Sequence, residues 1–190
     1  MGEKISEYVY TWHPKFYKNE IVEVDETYEK WTLDPVRDKY SNDILGKEGN
    51  WVMGMVSRST NTIWLQPVTD RSSVALLTPM LRRIERGTII ISDALNAYKE
   101  LSLHGYDYKC INKQKDGFAR REGTRTEEEK NEGRDSRFNV HVNSIEGTWR
   151  QFREYLHRHH MEHGKHIFYC CNYYIFDRMY GCYFKAIQAK

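Results

Sequence analysis

The chain has 190 residues, four cysteines and a formal net charge of +2 at pH 7. This length is enough for one domain with a full hydrophobic core. No apolar run approaches the roughly eighteen residues of a membrane span, and the N-terminus lacks a signal-peptide core, so we expect a soluble intracellular protein. The cysteines form no C-x-x-C pair and are expected to be reduced thiols. The small net charge does not by itself indicate a nucleic-acid-binding protein.

A β-strand is predicted over residues 21–28, which have the sequence IVEVDETY. Its apolar residues alternate with acidic ones, and this is the period of a strand. The alternation places Glu23 and Asp25 on one face and Glu26 on the other. A carboxylate on a central strand is costly to desolvate unless a cation, a hydrogen-bond donor or a metal ion pairs with it. We therefore expect Asp25 to have partners elsewhere in the chain.

The rest of the pattern predicts a three-stranded meander followed by alternating helices and strands, and hence an α/β fold with a mixed sheet and helices on its faces. Pro79 is expected to kink the first helix or to mark a restart at Thr78. Residues 1–20 show no sustained period and are expected to be an irregular lead-in to one domain at 21–190. The further predicted elements are strands at 51–57, 62–68, 88–91 and 106–111 and helices at 73–86, 94–103, 143–160 and 166–185.

Residues 113–137 are rich in both basic and acidic side chains and contain almost nothing apolar. Such a segment cannot bury enough surface to order itself, so it is predicted to be a flexible charged insertion on the surface. The chain beyond Gly147 carries more Lys and Arg than Asp and Glu, and this bias is compatible with phosphate contact.

Three acidic residues fall at comparable places in the predicted fold. Asp25 lies in the first strand, Asp93 ends a buried strand, and Glu146 lies in the first turns of a helix. Each alone has a structural explanation, namely an arginine partner, a helix cap and the helix macrodipole, respectively. Together they suit Mg²⁺, because it prefers carboxylate oxygens and two such ions about 3.5–4 Å apart can promote phosphoryl transfer. No spacing of His and Cys predicts a competing transition-metal site.

Five short blocks follow one another along the chain: VEVDETY at 22–28, WVMGMV at 51–56, DRS at 70–72, SDA at 92–94 with Tyr98, and HVNSIEGTW at 141–149. In this order they resemble the ISXO2-like transposase domain of the IS1595/IS1016 group of bacterial insertion sequences and their eukaryotic Merlin relatives. The resemblance implies an RNase H-like core with a five-stranded mixed sheet. It also implies a DDE transposase, which cuts at element ends and joins the freed 3′-hydroxyl to target DNA.

The same resemblance implies roles for individual residues. Asp25, Asp93 and Glu146 match the catalytic triad, which binds two Mg²⁺ or Mn²⁺ ions. Asn143 precedes Glu146 by about one helical turn, so both side chains can face the site, and either can be the third residue. The charge of Glu146 favours it as the metal ligand.

Phosphate contacts are expected from the same region. Relatives commonly place a lysine seven residues beyond the glutamate, where this chain has Arg153, whose planar fork can also hold a phosphate. Arg150 and His141 are further candidates for DNA or phosphate binding. No N-terminal DNA-binding domain is recognisable before Asp25. The charged segment at 113–137 lies where relatives usually have a shorter segment.

The resulting prediction is a DDE transposase catalytic domain that cleaves DNA at transposon ends and transfers strands. Its expected partners are transposon-end and target DNA and further copies of itself, with no membrane. Its expected compartment is the nucleus in a eukaryote, or the cytoplasm and nucleoid in a prokaryote. Two alternatives stay open. One is a domesticated module that binds DNA or oligomerises with little or no catalysis, and the other is an RNase H-like nuclease without strand transfer.

Overall fold

The computed structural model describes residues 14–29, 50–123, 138–161 and 167–188. Within these ranges the elements follow the order that the sequence pattern predicts, with two short strands and one short helix added. The strands are β1 (Ile21–Glu29), β2 (Asn50–Ser57), β3 (Ile63–Val68), β4 (Ile89–Asp93), β5 (Asp107–Ile111), β6 (Arg120–Glu122) and β7 (Phe138–Val140). The helices are α1 (Ser73–Arg83), a 3₁₀ helix (Asn96–His104), α2 (Lys113–Asp116), α3 (Asn143–Arg158) and α4 (Ile167–Gln188).

Five strands form one mixed sheet in the spatial order β3-β2-β1-β4-β5. The first three are antiparallel neighbours, whereas β4 runs parallel to β1 and β5 parallel to β4. Asn61 takes a left-handed conformation between β2 and β3, which asparagine tolerates better than most residues. Ile90 and Ile91 are fully buried in β4, as expected for a continuously apolar strand between two others. The predicted mixed five-stranded sheet is confirmed.

Helices cover both faces of this sheet. The apolar stripe of α3 packs against β1 and β2, with the helical spacing that the sequence predicts. On the opposite face, α1 and the 3₁₀ helix pack against each other, and α1 also contacts β3. Helix α4 contacts β3 and α3, and the rings of Phe152 and Tyr174 are 5.2 Å apart between α3 and α4. The buried stripe of α3 includes Ile145, Trp149, Phe152 and Leu156.

Helix α1 does not restart at Thr78, so that part of the prediction is wrong. The helix runs through Pro79 as one element, and the side chain of Ser72 caps it by accepting a hydrogen bond from the Ala75 N–H. The Thr78 hydroxyl donates to the Val74 carbonyl at 2.7 Å within the same helix. Because Pro79 is buried, its ring contributes to packing while the chain loses one backbone hydrogen bond.

Part of the segment at 113–137, which is predicted to be a flexible insertion, forms regular secondary structure. Residues 113–116 form α2, and β6 pairs with β7 as a second, two-stranded antiparallel sheet. Arg120 holds this part to the main sheet, because it donates to the Cys110 carbonyl and to the Asp116 carboxylate. Polar contacts thus hold a segment that contains few apolar residues. Residues 124–137 lie outside the described ranges.

Two further expectations concern the ends and the cysteines. Of the lead-in at 1–20, only residues 14–20 are described, and there Phe16 is fully buried and forms a β-bridge with Ile84. Cys110, Cys170 and Cys171 are free thiols, as predicted. No described helix combines the length and apolar character that a membrane crossing requires.

Candidate active site

Asp25 and Asp93 meet where β1 and β4 separate. These parallel strands are paired as far as Glu23 and Ile91, and each aspartate lies two residues beyond that last pair. The equal offset on parallel strands directs both carboxyl groups to one region of the sheet. Oxygens of Asp25, Glu26 and Asp93 lie within 4.8 Å of one another. This spacing allows the three side chains to share a cation.

The Asp25 carboxyl group is mostly buried between β1 and α3. Its Oδ2 atom accepts a hydrogen bond of 3.0 Å from Nε1 of Trp149. Burial raises the pKa of Asp25 to about 7; the Trp149 hydrogen bond opposes this rise, and the charges of Glu26 and Asp93 add to it. Negative charge is therefore concentrated at this point, and a divalent cation would relieve the repulsion.

Trp149 reaches Asp25 because a glycine lies beneath its ring. Gly54 is the partner of Asp25 in the β1–β2 register. A Cβ atom at position 54 would lie 2.5 Å from the Trp149 ring and 2.8 Å from the Ile145 side chain. Any larger residue at position 54 would therefore displace α3 from the sheet or turn the indole away from Asp25.

Glu26 is the third member of the carboxylate cluster, but both of its oxygens already have protein partners. Oε1 accepts from the Arg71 guanidinium, at 2.7 Å from Nε, and Oε2 accepts from the Tyr98 hydroxyl at 2.7 Å. Burial and the charge of Glu26 raise the pKa of Tyr98 well above its usual value, so this hydroxyl keeps its proton. The Arg71 guanidinium also lies over the Trp51 ring. Glu26, in the block at 22–28, is therefore bonded to Arg71 of the block at 70–72 and to Tyr98. With both oxygens bound, it is less available as a metal ligand.

Glu146 lies in the first turn of α3, and its carboxylate is bound by a lysine. The Nζ atom of Lys113 is 2.6 Å from Oε1 of Glu146. In this arrangement Glu146 does not belong to the cluster of Asp25, Glu26 and Asp93. Its role as the third metal ligand stays a prediction.

A buried carboxylate fixes the N-terminus of α3 to β1. Glu23 is fully buried, and its Oε2 atom accepts the backbone N–H groups of Ser144 at 2.7 Å and Ile145 at 3.0 Å. The guanidinium of Arg58 donates to Oε1 at 2.6 Å and balances the charge. A carboxylate is favourable here because the first N–H groups of a helix lack partners within it. The contact holds the turn that carries Glu146 against the sheet.

His141 is engaged in the chain segment that precedes α3. Arg58 donates to the carbonyl oxygens of Asn139 and His141, and the N–H of Asn143 donates to Nδ1 of His141 at 3.3 Å. Burial and the Arg58 charge lower the pKa of His141, so the ring is neutral near pH 7 and Nδ1 is an acceptor. The 3.2 Å approach of Nδ1 to Glu23 is therefore not an ion pair. A role of His141 in DNA binding stays a prediction.

The remaining predicted residues lie along α3. Arg153 binds the end of β1, where its Nε atom is 3.0 Å from Oε1 of Glu29 and its Nη2 atom is 2.5 Å from the Thr27 hydroxyl. About half of its side chain remains exposed. Arg150 and Asn143 are exposed. Arg153 is thus anchored within the protein, and a phosphate contact by any of these three stays a prediction.

Three features of the site were missed from the sequence. The helical spacing places Trp149 on the apolar stripe of α3, but its indole N–H is a donor that needs a partner when buried. Glu23 shares a strand face with Asp25, which was a usable signal for a second buried carboxylate. Lys113 lies just beyond the end of β5, the parallel neighbour of the strand that Asp93 ends. Asp93 is a candidate because it ends a strand of the sheet, and the same reasoning applies to Lys113.

Comparisons with known proteins agree with this geometry. A family model of the ISXO2-like transposase domain matches residues 18–168, which include every site residue described above. A comparison with curated proteins found no match. Among solved structures, the chain is similar to the catalytic core domain of HTLV-2 integrase in complex with magnesium.

The trimeric form of that core has 10% sequence identity and a TM-score of 0.51, with 86% of each chain covered. The dimeric form has 9% identity and a TM-score of 0.51, with 87% of each chain covered. At such low identity the likeness shows the fold alone, and it confirms the RNase H-like prediction. The family match over most of the chain shows that the chain belongs to the ISXO2-like transposase domain family.

Proposed function

We propose that the chain is the catalytic domain of a DDE transposase, which cleaves DNA at transposon ends and transfers the cut strand to target DNA. The observation that carries this proposal is the approach of Asp25 and Asp93 where two parallel strands separate. It occurs inside a domain that belongs to a transposase family. In-line phosphoryl transfer with two metal ions requires ligands that are placed in this way.

The donors at the site fit Mg²⁺ or Mn²⁺. Carboxylate oxygens within 4.8 Å of one another suit these hard cations. Burial, and to a lesser degree the charges of Glu26 and Asp93, raise the pKa of Asp25, and a bound cation would offset both effects. The HTLV-2 integrase cores are in complex with magnesium, which supports the same assignment. We assign Asp25 and Asp93 as ligands, with Glu146 or Asn143 completing the set. Two bound ions would activate the attacking oxygen and stabilise the leaving oxygen.

The protein's own residues orient these groups. Trp149 fixes the rotamer of Asp25 through its N–H, and Glu23 with Arg58 fixes the N-terminal turn of α3. Such support matters because a displacement of about 1 Å at a reacting group can lower a rate by about a hundredfold. For the DNA backbone we assign Arg153, Arg150 and His141 as phosphate-binding residues.

DNA is the proposed substrate, and further copies of the chain are the proposed partners. The two HTLV-2 integrase cores are a trimer and a dimer, which supports assembly of this domain as well. A multimer would allow two element ends to be cut and joined together.

The test is a cleavage and joining assay on a plasmid that carries the DNA flanking the coding region, with Mg²⁺ or Mn²⁺ added. The parent should nick and join DNA, and Asp25→Asn and Asp93→Asn should each lose this activity by a factor on the order of a thousand or more. Glu100→Gln is a matched control, because Glu100 is an exposed acid in the 3₁₀ helix. Equal activity of Asp93→Asn and the parent would overturn the proposal.

Two outcomes would point to the alternative functions. Cleavage of a precut end without joined product would indicate a nuclease. DNA binding that needs no metal and survives Asp25→Asn, in the absence of cleavage, would indicate a DNA-binding module.

A further inference from the structure

Lys113 reaches the candidate metal site from the neighbouring strand. In the parallel β4–β5 register Asp93 pairs with Ile111, and Lys113 lies two residues beyond that pair. The side chain of Asn112 caps the following turn, which fixes the backbone from which Lys113 extends. The lysine therefore approaches the region where the two aspartates meet.

Three acidic residues act on the Lys113 ammonium. The hydrogen bond to Glu146, at 2.6 Å, raises the pKa of Lys113, and the charges of Asp25 and Asp93 raise it further. A fixed positive charge thus lies beside the place where the negative charge of the site is concentrated. It offsets part of the repulsion among those acids.

The Lys113–Glu146 pair can be exchanged easily. The two side chains are 51% and 44% exposed, and exposed ion pairs contribute little to stability. Glu26 differs, because its side chain is fully buried and both oxygens are bound by Arg71 and Tyr98. Of these two glutamates, Glu146 is therefore the one that can change its partner from an ammonium to a metal ion.

Building on the proposed function, we propose that Lys113 is a stand-in cation for the metal site. It pairs with Glu146 and competes with the divalent metal for that carboxylate. When Glu146 binds the metal, the released ammonium contacts a phosphate of the DNA, for which a lysine is suited as a mobile point charge.

The first test measures Mn²⁺ affinity by calorimetry without DNA, at fixed pH and ionic strength. Lys113→Met should bind Mn²⁺ about 3- to 10-fold more tightly than the parent, because the competing charge is removed. Lys115→Met, the same change at an exposed position in α2, should bind like the parent. In a Glu146→Gln background, Lys113→Met should give a clearly smaller gain, because the shared carboxylate is gone and only the repulsion between Lys113 and a cation at Asp25 and Asp93 remains.

An unchanged affinity of Lys113→Met would overturn the inference, and so would a gain that persists in full in the Glu146→Gln background. If only the inference about Lys113 fails, Mn²⁺ should still bind the parent more tightly than it binds Asp93→Asn. Equal Mn²⁺ binding by the parent and Asp93→Asn would remove the proposed function as well. The two failures are therefore distinguishable.

The second test measures the affinity for duplex DNA by fluorescence anisotropy with Ca²⁺, as an oxygen-binding metal that occupies carboxylate sites. With Ca²⁺, Lys113→Met should bind DNA about 3- to 10-fold more weakly than Lys115→Met, because a phosphate contact is lost. Without metal the two variants should bind alike, since Glu146 then holds the lysine. Equal affinities with Ca²⁺ present would overturn the release step.

Discussion

The indole N–H of Trp149 donates a hydrogen bond of 3.0 Å to Asp25, and the same indole ring covers Gly54, which pairs with Asp25 across β1 and β2. Trp149 of α3 thus contacts both the catalytic candidate in β1 and the glycine that pairs with it in β2. The packing of α3 on the sheet and the orientation of the Asp25 carboxyl group therefore depend on each other.

Trp149→Phe should weaken metal binding while keeping most of the packing. The phenyl ring cannot donate to Asp25, and because that hydrogen bond lowers the pKa of Asp25, its loss should raise the pKa further. At about pH 7 we expect Mn²⁺ affinity to fall about 3- to 10-fold and to recover as the pH rises. Calorimetric titrations across pH measure this. Trp64→Phe, whose indole bonds to Gln66 instead, should leave the affinity unchanged.

Gly54→Ala should destabilise the fold by about 1–3 kcal/mol, because the added methyl group would overlap Trp149 and Ile145. Gly147→Ala is the matched control. Its Cβ atom would meet no atom within 4 Å, and alanine should stabilise α3 by up to about 1 kcal/mol. Urea denaturation measures both changes in the free energy of unfolding. A stability of Gly54→Ala equal to that of the parent would contradict the close packing of Trp149 on β2.

Glu23→Gln should loosen the start of α3 and cost about 3 kcal/mol of stability. The amide cannot balance the charge of Arg58 or accept from the helix N–H groups as strongly as a carboxylate does. Amide hydrogen exchange at Ser144 and Ile145 should therefore become faster. Glu154→Gln, an exposed acid on the same helix, should change neither quantity. Unchanged exchange in Glu23→Gln would show that other contacts hold this turn.

The strand period and the resemblance were enough to predict the sheet and the meeting of Asp25 and Asp93. Apolar alternation predicts β1 and a continuous apolar run predicts β4, and once these strands are parallel neighbours their equivalent residues meet. The partners of these acids were not predictable in the same way. Trp149 is far from Asp25 in sequence, and only the packing of α3 on the sheet brings the two residues together.

The segment at 113–137 shows a second limit of sequence patterns. Its high charge and its scarcity of apolar residues predict disorder, because such patterns report how much apolar surface a segment can bury. Lys113 and Arg120 are instead ordered by ion pairs and hydrogen bonds to residues that are distant in sequence or on another strand. For the same reason the pairing of Glu146 with a lysine was not anticipated.

The pKa of Asp25 predicts how the stability of the metal-free domain changes with pH. This pKa is about 7 in the folded chain, whereas the ordinary value of an aspartate is 3.8, so between these values the folded state keeps a proton that the unfolded state has released. Stability should therefore fall as the pH rises from about 4 to about 7 and level off above that, by on the order of a few kcal/mol at most.

Asp25→Asn cannot ionise, so the difference in unfolding free energy between it and the parent should grow across this window in favour of the variant. Urea denaturation at about pH 5 and about pH 8 measures this difference, and saturating Mn²⁺ at the higher pH should stabilise the parent but not Asp25→Asn. Parallel pH profiles of the two proteins would show that Asp25 ionises normally in the folded state.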